Sequence, residues 1–548
     1  MSAMRKVFKK PVKIEDNRRN RKDCNNSRFE TIVSSLNKYG EKDFEDISLS
    51  CNIEDNQKRI QEVFKDCSDF VVRRFDVGDG KIKCFISYIE SMAGKEDIED
   101  NVLKALMTDS RIIDVSRESE QDNLLKVFSR ILISDSEVSE LFKLKDIVDK
   151  ALNGHCILFV DGNSGVLAVD TKKIKARNVG VANIEPVIRG PQEAFVEDIV
   201  TNISLLRKRI KTPNLKTEKF EIGRLSKTEV VIAYIKGLAE DSLVRELRKR
   251  IKRIDIDVIV DSSYIEALIS DEVYSPFPNM QVTERPDVCM GNLAEGRVLV
   301  LVDGSPFVLI VPGLFSDFFS ASEDYYYNFY FATLLRVLRY LSFFTALLAP
   351  ATYIAVTTFH QEMIPTPLLI TIATARSEVP FPAIVEALLM ELTFEILREA
   401  GVRLPQPIGP AISIVGGLVI GQGVVQAGIA SQIMVIVVAI TGIASFSLPR
   451  FNAAAAVRVL RFPMMILAAT LGIYGIVIGL ILLLIHLTSL RSFGVQFLSG
   501  YSTLTLEGWK DSVIKSPLWY LHKRPAYIQK NNLTRIRKGL KPRPPAKK

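Results

Sequence analysis

Four residues in the apolar second half of the chain have types and spacing suited to lining a water path. Val415, Val419, Gln422 and Gln426 are spaced by 4, 3 and 4 positions, so a helix would place them on one stripe. Two carboxamides at membrane depth are costly unless they meet water or a polar partner. The stripe therefore predicts either hydrogen bonds between helices or a pore wall, in which valines gate by dewetting and glutamines face water. Closed symmetric assembly would turn the single helix into a ring.

Glycines occupy another face of the same segment. Gly417 and Gly421 form a small-xxx-small pair with Gly428 on their side of the helix, which predicts close helix packing. The run does not follow a strand, so it is not a nucleotide-binding fingerprint.

A second stripe is acidic. Glu391, Glu395 and Glu399 recur at i+4 spacing, where like charges repel by tenths of a kcal/mol unless they are offset. The stripe indicates either an interfacial helix with its acids in water or an acidic vestibule that concentrates cations. Three arginines lie near enough in sequence to offset the acids, and Arg398 is spaced to pair with Glu395: Arg376, Arg398 and Arg403.

The chain offers little for an enzyme, a metal or a cofactor. It contains no GxxxxGK[ST] loop, GxSxG elbow or HExxH motif, and its six cysteines include no CxxC pair. His360 and Glu362 end the first apolar span, and an interfacial hydrogen bond is expected there rather than a metal or proton site. We therefore predict no catalytic residue, no metal site and no cofactor.

The residues just named require a membrane domain to position them. No lysine occurs between Lys252 and Lys510, and no aspartate between Asp324 and Asp511, as a bilayer would select. From about Leu338, four spans are predicted at 338–359, 411–429, 433–448 and 463–487. Four spans with a cytoplasmic start would put the basic tail in the cytoplasm but the arginines at 450–461 outside. Six segments, or a re-entrant pair, would satisfy both.

The first half has the composition of a charged soluble protein. Two apolar–turn–apolar hairpins, at 155–170 and 297–311, indicate two related subdomains. Helices alternate with strands, including one predicted at 255–260, so the fold class is α/β or α+β followed by a polytopic α-helical membrane domain. The predicted divisions are a disordered basic leader (1–30), subdomain 1 (31–185), subdomain 2 (186–330), a transmembrane domain of four to six segments (331–490) and a basic cytoplasmic tail (491–548). The leader has no apolar run, so the soluble region is expected to stay in the cytoplasm.

Long stretches of the chain carry a family resemblance. They are GPQEAFVEDIVTNISLLRKRI (190–210), YSPFP with TERPD (274–287), GRVLVLVDGSPFVLIVP (296–312), EDYY (323–326), FHQEMIPT (359–366), VPFPAIVEALLMELTFEILREAG (379–401), SIVGGLVIGQGVVQAG (413–428) and HLTSLRSFG (486–494). Together they make the chain resemble the A subunit of GerA-type spore germination receptors.

The resemblance implies a multi-pass receptor subunit in the spore inner membrane. Family A subunits work with a transporter-like B subunit, thought to bind the nutrient, and a lipoprotein C subunit. They are expected to oligomerise into a ligand-gated cation channel among membrane lipids, and no nucleic acid is implied. Some relatives carry Glu where this chain has Gln422 or Gln426, which leaves more of the cation selectivity to the acidic stripe.

Two other functions stay open at this point. The chain could be a non-conducting scaffold that relays nutrient binding, or a family paralogue that aids ion release without sensing a nutrient. A secondary transporter is disfavoured, because the sequence shows no inverted repeat and few spans.

Overall fold

The computed structural model describes residues 47–77, 82–109, 124–132, 137–172, 180–182, 184–403, 417, 419, 421–502, 511–528 and 532–542. The predicted leader at 1–30 lies outside these residues.

The first part of the chain forms a five-stranded antiparallel sheet with the strand order β1-β2-β4-β5-β3. Its strands are β1 (Phe70–Val77), β2 (Ile82–Ile89), β3 (Val138–Leu141), β4 (His155–Val160) and β5 (Val166–Asp170). Its helices are α1 (Ile53–Val63), α2 (Lys95–Ile98, continued by a π-helix at Glu99–Asp109), α3 (Leu124–Leu132) and α4 (Leu144–Leu152). Alternate residues of β4 enter two different hydrophobic clusters, so both faces of the sheet are covered. This double burial explains why β4 is continuously apolar.

The second part repeats the same strand order, as β6-β7-β9-β10-β8. Its strands are β6 (Leu215–Ile222), β7 (Thr228–Ile235), β8 (Gln281–Thr283), β9 (Val298–Val302) and β10 (Val308–Val311). Its helices are α5 (Ile199–Arg209), α6 (Asp241–Lys252), α7 (Ser262–Ile269) and α8 (Pro286–Glu295). Both predicted hairpins are confirmed, as β4–β5 and β9–β10. Each turn contains a glycine with a φ of +81°, Gly162 and Gly304.

The predicted strand at 255–260 is wrong. The alternation of apolar and acidic residues there resembles a strand, but the segment forms no ladder with any described strand and makes separate hydrogen bonds with the loop after β6. Arg224 N donates to Ile256 O at 2.9 Å, and Ile259 N donates to Ser226 Oγ at 3.1 Å. Ile254 and Ile256 still pack against the core. Because both sheets are antiparallel throughout, the N-terminal region is α+β.

A buried ion pair joins the two sheets. Asp69, just before β1, accepts hydrogen bonds from Arg207 of α5 at 2.8 and 3.0 Å and from Thr217 of β6 at 2.9 Å. Ser91 donates a further bond of 3.0 Å. Burial would raise the pKa of the Asp69 carboxyl, but the charge of Arg207 and these hydrogen bonds outweigh burial and hold the pKa below its usual value.

Replacing Asp69 with Asn should lower the free energy of unfolding by about 2 kcal/mol at neutral pH, because one charge-assisted hydrogen bond is lost. A carboxyl group whose pKa is lowered in the folded state stabilises the fold at pH values above its unfolded pKa of about 4. This stabilisation is lost as the pH falls through the pKa of the folded state. The difference in unfolding free energy between variant and wild type should therefore become smaller as the pH falls. Denaturant titration of both proteins in detergent at pH 7 and pH 3 checks this. A matched control is Asp76→Asn, an exposed residue of β1. An equal cost for both variants would contradict the prediction.

The last part of the chain is a helical domain. Its helices are α9 (Phe329–Thr358), α10 (Thr366–Ser377), α11 (Ala383–Arg403), α12 (Gln432–Phe446), α13 (Phe451–Leu471) and α14 (Ile473–Ser489), with further helical residues at 421–426. Two of them, α9 and α13, are long and apolar enough to cross a membrane, while α12 and α14 are apolar and shorter. A small ribbon (Arg491–Ser492 with Val495–Gln496) and a short helix (Ser499–Ser502) follow.

The helical domain has a near end, which contacts the α+β domain, and an opposite, far end. At the near end Arg450, just before α13, pairs with Glu185. His486, in the last turn of α14, lies 3.0 Å from Ser275 Oγ. The chain enters α9 directly from the α+β domain. Thus α9 and α13 run away from the α+β domain and α14 returns to it.

The two middle helices α11 and α12 run in the same direction. Glu386 at the start of α11 contacts Ser431, which caps the start of α12, and α12 ends close before Arg450 at the near end. Both helices therefore run from the far end to the near end. Among the helices named above, α9 and α13 therefore run away from the α+β domain, and α11, α12 and α14 run toward it.

The predicted fourth span, 463–487, is wrong as a single segment. The apolar run belongs to two antiparallel helices, α13 and α14, which meet at Gly472. Gly472 has a φ of +63°, and a Cβ there would lie 2.7 Å from the His360 ring. Hydropathy cannot show this break, because the residues on both sides of Gly472 are apolar, whereas a single glycine allows the reversal.

The C-terminal segment lies against the α+β domain. Arg524 Nε donates to the Ala294 carbonyl at 2.8 Å, and Arg535 lies 3.4 Å from the Glu295 carboxylate, both on α8. The tail and the α+β domain are therefore on the same side of the helical domain. The divisions at 185/186, 330/331 and 490/491 stay predictions. The first sheet ends at Asp170, and α9 begins at Phe329.

Candidate functional site in the helical domain

The predicted pore stripe lies on the surface of the single chain. Val419, Gln422 and Gln426 are all exposed, and Val419 is 60% accessible. Val415 lies outside the described residues. Both carboxamides belong to the helical residues 421–426, which pack beside α12. Among the described contacts, neither glutamine side chain has a hydrogen-bond partner within the chain.

The glycines of this segment have three different environments. A Cβ on Gly417 would meet nothing within 4 Å, and one on Gly421 would make ordinary contact with Val435 of α12 at 3.8 Å. Gly428 lies in the turn after the helix, with a φ of +65°, and a Cβ there would lie 2.9 Å from the Glu378 carbonyl. The structure thus brings Gly421 against a helix of the same chain and leaves Gly417 open to a neighbour.

The first acid of the predicted vestibule is buried in an ion pair. The Glu391 and Arg461 side chains are each 1% exposed and contact each other between α11 and α13. Arg461 Nε also donates to the Ala346 carbonyl of α9 at 2.7 Å. One charged pair therefore ties three helices together.

The other two acids are progressively more exposed. Glu395 lies 3.3 Å from Arg458 of α13 and 3.6 Å from Arg398. Glu399 is 65% exposed and pairs with Arg403 at 2.6 Å. The acidic stripe thus runs from a dry interior at Glu391 to the surface at Glu399.

Sequence reasoning gave no role to a second buried carboxylate of α11. Glu386 is fully buried and accepts from the backbone N–H of Ser431 at 2.6 Å and from its hydroxyl at 2.5 Å. Arg376 lies 3.9 Å away. The carboxylate therefore caps the positive end of α12 as well as binding its N-cap residue. The signal was a single acidic residue in the apolar stretch from Ala383 to Met390.

A cluster at the near end joins the two domains, and we call it the junction cluster (Asp324, Arg336, Arg339 and Asp511). Asp324 is completely buried and accepts from Arg336 Nε at 2.9 Å and from Arg339 Nη1 at 2.8 Å. Arg336 also contacts the backbone carbonyl of Asp511 in the tail and lies 3.3 Å from its carboxylate. The cluster therefore fixes the base of α9 to both the α+β domain and the tail.

His360 lies at the far end, where its Nδ1 is 3.4 Å from the Ala355 carbonyl. Across the described parts of the chain, no three His, Cys, Asp or Glu side chains come together in a way that could hold a metal ion. The residues at this helix end therefore form a local polar contact.

The outer face of the helical domain is apolar. On α14, Tyr474, Ile481, Leu482, Leu484 and Ile485 are all more than half exposed. Exposed apolar faces of this size mark interaction with a membrane or another protein. Two ion pairs between α11 and α13, Glu391 with Arg461 and Glu395 with Arg458, instead lie on the inner side of these helices. A lipid environment favours this arrangement, in which charged side chains lie inside the helix bundle and apolar side chains lie outside.

Fold and site together define a protein with an α+β domain on one side of an inside-polar, outside-apolar helix bundle. The model of the Bacillus/Clostridium GerA spore germination protein family matches residues 58–527. The chain belongs to the GerA family of spore germination proteins.

Its relatives in Bacillus subtilis (strain 168) match along almost their whole length. The chain is 44% identical over 492 residues to a protein described as the uncharacterized membrane protein YfkQ, covering 90% of this chain and 94% of that one. It is 42% identical over 500 residues to spore germination protein KA, covering 91% and 90%. A solved structure, the N-terminal domain of the A subunit of the Bacillus megaterium spore germinant receptor GerK3, is 36% identical and covers 49% of this chain and 97% of that one, with a TM-score of 0.39.

Proposed function

We propose that this chain is the A subunit of a nutrient germinant receptor and that it oligomerises in the spore inner membrane into a ligand-gated cation channel. Family membership supports a role in germination. The proposed partners are further copies of the chain, a transporter-like B subunit, a lipoprotein C subunit and membrane lipids.

The exposed stripe of Val419, Gln422 and Gln426 carries the proposal of conduction. In lipid, an unpartnered carboxamide is costly, and two on one helix face call for water or another chain. A ring of copies would satisfy both glutamines at once, with Val419 as the apolar constriction above them. Gly417, open on the single chain, would let the adjacent copy approach closely.

The acidic vestibule belongs to the same proposal, with unequal roles for its members. Glu399 is the acid that faces water, although Arg403 offsets part of its charge. Glu391 and Glu395 are already paired to α13, so they would attract cations only if gating separated α11 from α13. Selectivity at rest would therefore be weak.

We place the α+β domain and the tail together in the cytoplasm. Both lie at the near end of the helical domain. Arg450 lies there too, so the positive charges of Arg450 and of the basic tail are on one side. Placing Arg450 and the tail on one side removes the conflict with the positive-inside rule that four predicted spans created.

Reconstitution tests conduction directly. The purified full-length chain in liposomes should carry potassium when the constriction is loosened. A non-conducting scaffold would give no flux even in loosened variants. That outcome would retain the receptor role and discard the channel.

Replacing Val419 with Ala should raise potassium leakage several-fold, because a smaller side chain widens the constriction and lets water enter it. Leakage is measured in proteoliposomes, and potassium retention is measured in dormant spores that carry the variant. Val425→Ala removes the same two methyl groups from a position off the stripe and should leave leakage unchanged. Equal retention in wild-type and Val419→Ala spores would count heavily against the pore.

A further inference from the structure

A cavity of about 530 Å³ lies between the two domains, and we call it the junction cavity. Its walls come from α7 and β8 of the second sheet, from the 3₁₀ turn at Phe315–Phe318, and from residues 449–453 at the start of α13. None of the described residues of the pore stripe lines it. Its volume is within the range of about 300–1,000 Å³ that small-molecule sites occupy.

Most of the wall is apolar. Val282, Phe307 and Phe318 come from the α+β domain, and Phe451 and Ala453 come from α13. A ligand that fills this space must therefore bring an apolar body, which a hydrated metal ion lacks.

The polar part of the wall is acidic. Two of its four carboxylates are already neutralised, since Glu185 pairs with Arg450 and Asp317 binds Arg297 at 2.9 Å. Arg450 is the one cation among the described residues that line the cavity, and Glu185 occupies it.

The other two carboxylates have no cation. Asp261 accepts from the Ser305 hydroxyl and, at 3.1 Å, from the Ser263 N–H. Within the described part of the chain, the Glu266 carboxylate has neither a hydrogen bond nor an ion pair. Burial, followed by the charge of Asp261, raises the pKa of Glu266. Two adjacent uncompensated acids in a partly buried wall favour a positively charged occupant.

A separate observation points to a ligand with hydrogen-bond donors. Gln281 of β8 lines the cavity and is only 7% exposed, and its Oε1 has no hydrogen-bond partner among the described residues. Buried amide oxygens in proteins are almost always satisfied. Carboxylate and amide oxygens together present acceptors only, which an ammonium group with three donors complements.

We propose that the junction cavity binds a small monocationic amine, a primary ammonium group on an apolar body. The ammonium would lie against Glu266 and Asp261, within reach of Gln281, and the apolar body against the phenylalanines. An amino acid fits less well, because its carboxylate would face these acids while Arg450 is engaged by Glu185. An occupant would touch both domains at once and so stabilise one arrangement of α13 against the second sheet.

Isothermal titration of the purified full-length chain in detergent tests the site, with phenethylamine as the probe. Saturable binding is expected, and Glu266→Gln should weaken it at least about tenfold, the value of one charge-assisted hydrogen bond. Glu272→Gln, an exposed acid beyond the end of α7, should bind as wild type does. Melting curves of both variants establish that they are folded.

Three further titrations define the chemical class. The neutral analogue 2-phenylethanol, the zwitterion phenylalanine and potassium chloride should each fail to displace phenethylamine at equal concentration. Absence of saturable binding to the folded wild type would overturn the proposal, as would undiminished binding to Glu266→Gln or equal binding of 2-phenylethanol. Displacement by potassium would replace the amine with an inorganic cation. None of these results depends on conduction, so a chain without flux in liposomes leaves the binding test intact.

Discussion

Replacing Arg461 with Met should destabilise the helical domain by about 3–5 kcal/mol, because the change leaves Glu391 buried without its cation. Both side chains are 1% exposed, so water cannot replace the lost partner. The Ala346 carbonyl of α9 also loses its donor. The melting temperature of the purified chain in detergent should fall by roughly 10 °C.

A double variant distinguishes the lost ion pair from a general packing defect. Removing both charges, as Arg461→Met with Glu391→Leu, should recover most of the loss, since apolar residues of similar size replace buried pairs well. The exposed pair gives a matched control, as Arg403→Met should cost less than about 1 kcal/mol. If the double variant were no more stable than Arg461→Met alone, the charge-burial explanation would be wrong.

Replacing Asp324 with Ala should have a comparable effect at the N-terminal end of α9. The fully buried carboxylate is shared by Arg336 and Arg339, and its removal leaves two buried guanidinium groups facing each other. The expected cost is again about 3–5 kcal/mol. Because Arg336 also holds Asp511, the tail should loosen from the α+β domain.

Limited trypsin digestion measures that loosening. Cleavage after Lys523 should become faster in the variant, while the second sheet keeps its resistance. Asp257→Asn is the control. Asp257 is exposed, and its ion pair with the exposed Arg224, at 3.7 Å, should contribute little to stability. Unchanged digestion and melting in Asp324→Ala would show that the junction cluster does not hold the domains together.

Local patterns in the sequence predicted much of the fold. Both hairpins follow from apolar runs around an Asp-Gly turn, and the pairing of Arg398 with Glu395 follows from helical spacing. The prediction of a strand at 255–260 is wrong because alternation alone does not show whether a sheet has a free edge with which the segment could pair. The reversal between α13 and α14 was not predicted, because hydropathy measures the composition of a segment and does not show the direction of the chain.

The buried charges required information that no local pattern holds. Glu391 and Arg461 are 70 positions apart, and their pairing depends on how α11 packs on α13. One signal was available: an arginine within an apolar helix needs a partner, and the acidic stripe was the nearest supply. The surface position of Val419, Gln422 and Gln426 likewise depends on how the neighbouring helices pack.

Contacts between the tail and α8 also set an order for biogenesis. Asp511, Arg524 and Arg535 emerge from the ribosome after every helix of the domain has been made. The α+β domain can fold as the first unit during synthesis, whereas its attachment to α9 is complete only when the tail arrives. A nascent or truncated chain would therefore lack this final clamp, and only a fully translated subunit would present the finished junction for assembly.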